Sequence, residues 1–180
     1  MTYIDENNTK TPYQTNSQSG VTLMEMIAAL AIIAVIIVGS LALYRAATSS
    51  QSSTQLVQDV ISLRSATKSL FLGQGTYGAA GTDLNPVLLA AQRVPSTIRT
   101  TPAGVFTHSL NGAVNVTAQA AQFDIVVANI PTDVCIPLIT GTDGWATVTV
   151  GAAVLPMPTT PAAAAAACAG GPLVITFRSN

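Results

Sequence analysis

Charge is the scarcest property of this sequence. Charged side chains make up 8% of its 180 residues, against about 25% in an average soluble domain. Seven Lys and Arg stand against eight Asp and Glu, for a formal net charge of −1. The basic residues are scattered, so no patch can track a phosphate backbone. Aromatic residues, which would stack on bases, are only 5%. Nucleic-acid binding is therefore not expected. Histidine occurs once, at His108. No cluster of Cys, His and carboxylates with ligand spacing surrounds it, so it reads as a strand or loop residue and no metal site is expected. No serine sits in a nucleophile motif with a base. Gly73-Gln-Gly75 is too short for a phosphate loop and reads as a helix stop. Asp143-Gly144 before Trp145 reads as a turn, with Trp145 in the core. No catalytic residue and no cofactor are expected, which argues against an enzyme.

Cysteine is nearly as scarce, with two, Cys135 and Cys168, both in the C-terminal half. An even count fits one disulfide if the domain is exported; in a cytosolic domain the pair would be two buried thiols. An ordinary secretory signal peptide is also missing. Such a peptide places its apolar region before the cleavage site. Here residues 1–19 are polar, with Asp5, Glu6, Asn7, Asn8 and Lys10. They cannot bury apolar area, and the expectation is disorder.

What is present begins after Gly20. Mean hydropathy is +0.48, and much of it comes from an almost wholly apolar run from Met26 to Tyr44. Its length matches the roughly 20 residues that cross a bilayer as a helix. No charge lies between Glu25 and Arg45. Beyond it Leu56, Val60, Leu63, Thr67 and Leu70 recur at spacings of four and three, with Val57 and Ile61 widening the stripe and Arg64 and Lys68 to one side. That is an amphipathic helix with one face on a core. Val21 to Leu72 would make a single helix about 78 Å long, apolar all round in its first half and one-sided in its second.

The remainder predicts an antiparallel sheet. Asn85-Pro86 reads as the cap and first residue of a short helix. Residues 104–110, 113–118, 122–129, 145–155 and 173–177 read as strands, with Asn111-Gly112 as a hairpin turn. A short helix is expected from Thr132 to Leu138, weakened by Pro137. Pro156 to Ala167 reads as an exposed loop or a short Ala helix. The fold class is α+β, with a long N-terminal helix packed on the sheet.

The segment Gly20-Val21-Thr22-Leu23-Met24-Glu25 carries the functional signal. A residue without a side chain can enter a narrow protease site, and a cut after Gly20 would leave Val21 as a new N-terminal amine. Glu25 would then lie four residues on, on the same helical face. A carboxylate at the start of a membrane-embedded helix costs a few kcal/mol unless it is paired. The amine of its own chain or of a neighbouring copy is the obvious partner.

A polar leader ending in Gly, a carboxylate five residues on and an uninterrupted apolar helix resemble the type IV pilin family. The long leader, Val21 in place of Phe, and the segments around Cys135 and Cys168 look like the type IVb branch, which includes thin conjugative and toxin-coregulated pilus major subunits. The resemblance implies three regions: a prepilin leader at 1–20, a transmembrane and filament-core helix at 21–46, and a periplasmic globular pilin head at 47–180. It implies cleavage between Gly20 and Val21, N-methylation of Val21, Glu25 as the assembly carboxylate, and a Cys135–Cys168 disulfide. It also implies the partners: the inner membrane before assembly, a prepilin peptidase, an assembly platform with its ATPase, and other copies of the chain in an extracellular filament used for adhesion, aggregation or conjugative transfer. Lys10 stands against Asp5 and Glu6 in the leader, so the charge rule for topology adds little and orientation follows from the resemblance. A minor pilin or a type II secretion pseudopilin is the alternative. A membrane-anchored periplasmic protein that never polymerises is the third reading.

Overall fold

The computed structural model describes residues 22–179. The expected disorder of residues 1–19 lies outside them. The first element, α1, runs Leu23–Leu70. The chain divides into two compact units, one ending at Ala42 and the other covering Leu43–Asn180.

In the first unit α1 has no polar face. Leu30, Val35, Ile36 and Val38 are all exposed, and so are Met26, Ile27, Ile32 and Ile33 at other angles around the helix. Ser40 is harmless there because its hydroxyl donates to the Ile37 carbonyl at 3.0 Å. A helix that is apolar all round is one whose surroundings are apolar.

In the second unit α1 becomes one-sided. Leu56, Val60, Leu63 and Thr67 are buried, at the expected spacings of four, three and four. Thr67 is tolerated there because its hydroxyl donates to the Leu63 carbonyl at 2.8 Å. Ile61 does not widen the stripe. It is 42% exposed, since one step along a helix from Val60 turns a side chain by about 100°. Asp59 takes a place beside the stripe instead and is 2% exposed. Its Oδ1 accepts from the Thr97 hydroxyl at 2.5 Å and the Gln55 amide at 3.1 Å.

After α1 come α2 (Asn85–Ala90), β1 (Arg99–Thr100), β2 (Phe106–Thr107), β3 (Ala113–Gln119), β4 (Gln122–Ile130), α3 (Thr132–Thr140), β5 (Thr147–Val150), β6 (Ala153–Pro156), α4 (Pro161–Ala167) and β7 (Leu173–Ser179). The seven strands form one sheet in the order β1-β2-β3-β4-β7-β5-β6, and every pairing is antiparallel. Alternation decides which side chains point inward. Val114, Val116 and Ala118 of β3, Phe123, Ile125 and Val127 of β4, Val148 and Val150 of β5, and Ile175 and Phe177 of β7 join Leu56, Val60 and Leu63 of α1 in one buried cluster. Each fully buried Leu, Ile or Phe contributes about 1.5–3 kcal/mol.

Four further sequence expectations need correction. The strand read at 145–155 is two strands, β5 and β6, which reverse at Gly151 with φ +57°. The strand read at 104–110 shrinks to Phe106–Thr107 because the chain turns from His108 to Gly112. Asn111 does take the left-handed conformation, φ +58°, but within a longer turn than a two-residue hairpin. Asn85 is not a helix cap. It is the first residue of α2, and its own N–H is held by the Asp83 carboxylate at 2.9 Å.

The Asn85 side chain is buried against β3. It donates to the Val114 carbonyl and the Asn115 side chain, and accepts from the Val116 N–H at 2.9 Å. The reason is the sheet edge. β2 pairs with β3 only at Ala113 and Val114, so the rest of that edge of β3 needs partners. Asn85 supplies some. The loop supplies others: the Leu84 N–H donates to the Val116 carbonyl, the Ala118 N–H donates to the Thr82 carbonyl, and the Gly81 N–H donates to the Ala118 carbonyl, each at 2.8 Å.

Of the two readings of 156–167, the helix is correct over its last part. Thr160 caps α4 by accepting from the Ala163 N–H at 3.3 Å, with Pro161 in the first turn.

Candidate assembly site and the disulfide-bonded head

Thr22 and Glu25 build the start of α1. The Glu25 N–H lies 3.0 Å from the Thr22 carbonyl and 3.3 Å from its hydroxyl oxygen, and the Met26 N–H donates to the same carbonyl at 3.1 Å. Thr-x-x-Glu is capping-box spacing. That signal was readable in the sequence and adds a local reason for the Thr and the Glu to stand three apart. The Glu25 side chain is exposed in the first helical turn, where the positive end of the helix dipole favours an acid. Gly20 and Val21 lie outside the described residues. The apolar stretch that follows Glu25 belongs to the one helix, among the described residues, long and apolar enough to cross a membrane.

The other expected site residues lie in the head. Cys135 in α3 and Cys168 at the end of α4 form a disulfide, with Cα atoms 5.9 Å apart and a sequence separation of 33. Both are fully buried. The bond ties α3 to α4, which the β5–β6 hairpin separates in sequence. α3 reaches Thr140 despite Pro137 and buries Val134, Cys135, Leu138 and Ile139.

Arg64 joins three parts of the head, a role that helical spacing alone could not show. Its Nε donates to the Ser179 hydroxyl at 3.0 Å and its Nη1 to the Asp143 carbonyl at 3.1 Å, and its Nη2 meets the Gly144 carbonyl. The guanidinium carbon stands 4.9 Å from the centre of the Trp145 ring. Trp145 is buried against Phe177, ring centres 5.2 Å apart. Asp143-Gly144 is a turn, with Gly144 at φ +72°. Lys68, one turn on from Arg64, has its pKa lowered by partial desolvation and by the Arg64 charge. Arg178 grips the buried Asp124 with two bonds of 2.7 Å, and this hydrogen bonding raises its pKa.

His108 is a loop residue just past β2 and is fully buried. Its Nε2 lies 2.9 Å from the Ala128 carbonyl, and its Nδ1 accepts the Leu110 N–H at 3.1 Å. This pairing requires the neutral ring with its proton on Nε2. Burial lowers the His108 pKa, against smaller upward pulls from the Ala128 carbonyl and Asp59. A depressed value means that the fold favours the neutral ring. The stabilisation is fully present above the unfolded value of about 6.5 and is lost as pH falls through the folded one. As the chain's one histidine, His108 gives a single imidazole Cε1–H resonance. Its NMR titration is expected to have a midpoint below that of a free imidazole, with the urea midpoint falling between pH 7 and 5. A midpoint at or above the free value would contradict the pairing.

Among the described residues no group of His, Cys, Asp and Glu could hold a metal ion.

No curated protein sequence matches the chain significantly. Residues 49–180 match the family model described as PilS N terminal, and residues 15–41 match the prokaryotic N-terminal methylation motif. Among solved structures, the type IVb pilin of Salmonella typhi superposes with a TM-score of 0.59 at 18% identity, covering 71% of this chain and 99% of that one. TcpA, a type IV pilin of the Vibrio cholerae El Tor biotype, superposes with a TM-score of 0.55 at 16% identity, covering 72% of this chain and 99% of that one. The chain therefore belongs to the PilS N-terminal family and is a type IV pilin-like structural subunit, not an enzyme, with an N-terminal methylation motif and the fold of the type IVb pilins.

Proposed function

We propose that this chain is the major subunit of a type IVb pilus, made as an inner-membrane precursor and polymerised into an extracellular filament. In this reading a prepilin peptidase cuts between Gly20 and Val21, removing the leader 1–20, and the Val21 amine is methylated. Residues 21–46 then anchor the subunit, with the head, 47–180, in the periplasm. An assembly platform and its ATPase move the subunit from the bilayer into the filament. The observation that carries the reading is the match of residues 15–41 to the methylation motif, on a helix whose side chains from Leu23 to Tyr44 are exposed. Lipid covers such a surface first and other copies cover it later, so little apolar area need ever meet water. Glu25, the one charge in that stretch, pairs with the Val21 amine of a neighbour and sets the offset of each subunit.

The intact mass and N-terminal sequence of protein sheared from cells test this. A chain beginning at Val21, methylated, and recovered in the sheared fraction is the expected result. Glu25→Gln is expected to leave cleavage intact and to lower recovery in that fraction by at least about tenfold, as loss of one buried charge pairing of 1.4 kcal/mol or more would do. A chain still starting at Met1 in cells that hold the cognate peptidase would overturn the reading.

A further inference from the structure

An asparagine side chain can be attacked by the backbone nitrogen of the residue that follows it, which expels ammonia. The described asparagines are Asn85, Asn111, Asn115 and Asn129, and they differ in how well that nitrogen is placed to react. Asn85 precedes Pro86, which has no N–H. Asn115 precedes Val116, whose N–H already donates to the Asn85 Oδ1 at 2.9 Å. Asn129 precedes the fully buried Ile130, whose branched side chain crowds the nitrogen. Asn111 precedes Gly112, which has no side chain to shield its nitrogen, and among the described residues nothing accepts the Gly112 N–H.

Two further observations single out Asn111. It is exposed in the turn from His108 to Gly112, with φ +58°, so water reaches it. Its side-chain oxygen Oδ1 also accepts from the Nη2 of Arg99. Arg99 lies in β1, and its strand partner is Thr107, the residue before His108. The sheet register therefore brings a guanidinium to the one turn in which an exposed amide is followed by a free, unshielded N–H.

We infer that Asn111 is a site of intramolecular deamidation in the folded head and that Arg99 promotes the reaction. The inference goes beyond the pilus reading and does not depend on it. The Gly112 nitrogen forms a bond to the Asn111 Cγ, and its proton passes to a solvent base. The electron pair of the Cγ=O bond moves onto Oδ1, where Arg99 already donates and stabilises the growing negative charge. The Cγ–Nδ2 bond then breaks, Nδ2 takes a proton, and ammonia leaves a cyclic imide. Water opens the imide at one carbonyl to give aspartate and at the other to give isoaspartate. The net change is amide plus water to acid plus ammonia. Either product places a carboxylate beside Arg99.

The test uses the full chain in detergent, incubated at mildly alkaline pH both folded and in urea. Peptide mapping by mass spectrometry follows conversion at each asparagine, with both products counted. In the folded chain Asn111 is expected to convert at least tenfold faster than Asn115 or Asn129. Arg99→Gln is expected to slow Asn111 by about tenfold in the folded chain, less than a donor in a water-excluded site supplies because this one is exposed. Arg99→Lys, which keeps the charge, is expected to restore part of the rate. In urea the contact is gone, so the original chain and Arg99→Gln are expected to react equally fast. Three results would overturn the inference: conversion of Asn111 no faster than that of Asn115 and Asn129, a folded Arg99→Gln chain that reacts as fast as the original or faster, or the same slowing by Arg99→Gln in urea.

Discussion

Gly112→Ala is expected to destabilise the head by about 3–5 kcal/mol, the sum of an overpacking cost and a broken buried hydrogen bond. A Cβ at Gly112 would overlap both the Ala128 carbonyl oxygen and the His108 Nε2. Those two atoms are the partners of the bond that buries the imidazole. The methyl group cannot be accommodated by moving a flexible side chain, because one obstacle is backbone of β4 and the other is a ring held at both nitrogens. The loss would be a third or more of a typical domain stability of 5–15 kcal/mol. Urea unfolding of the full chain in detergent measures it. Gly39→Ala is the contrasting substitution. Nothing lies within 4 Å of the added Cβ, and alanine in a helix interior is favoured over glycine by about 1 kcal/mol. No loss of stability in Gly112→Ala would mean that the His108–Ala128 contact is not made.

Replacing Cys135 and Cys168 together by alanine is expected to cost roughly 3–4 kcal/mol, from the loop that the disulfide closes. The effect should be local before it is global. α4 contributes one fully buried residue of its own, Ala164, so without the bond little apolar area holds 157–168 down. Hydrogen exchange in that segment is expected to rise by more than in β3 or β4. Because both sulfurs are fully buried, reductant alone is expected to act slowly on the native chain and quickly in urea. Uniform loss of protection across the head would show that the bond supports the whole sheet.

Elements with local causes were legible in the sequence. The apolar run, the α1 stripe at Leu56, Val60, Leu63 and Thr67, and the alternation in β3, β4 and β7 each declare themselves through a period. The start of α1 was legible for the same reason, as Thr22 and Glu25, which build it, are close in sequence. What stayed hidden was set by distant partners. Asn85 looks like a cap because Asn-Pro usually is one, and only the unpaired edge of β3 explains why it turns inward. Arg64 reads as a solvent-face charge until Trp145 and Ser179 stand beside it. Asp59 looks like part of a polar face, and its burial depends on Thr97, 38 positions away. Strand order was hidden because alternation says which face is buried and nothing about which strand lies alongside.

That order has a temporal meaning. β7, the final strand, lies between β4 and β5. It pairs with β4 from Leu173 to Ser179 on one side and with β5 on the other. Until Leu173–Ser179 arrive, the strands before them are two separate groups, β1 to β4 and a lone β5–β6 hairpin, and a two-stranded hairpin is marginal by itself. If the head is exported as proposed, it therefore cannot complete its sheet until Leu173–Ser179 have crossed the membrane. On that proposal the arrival of β7 and the closure of the sheet are one event, and a subunit lacking β7 would lack the strand that joins its two halves.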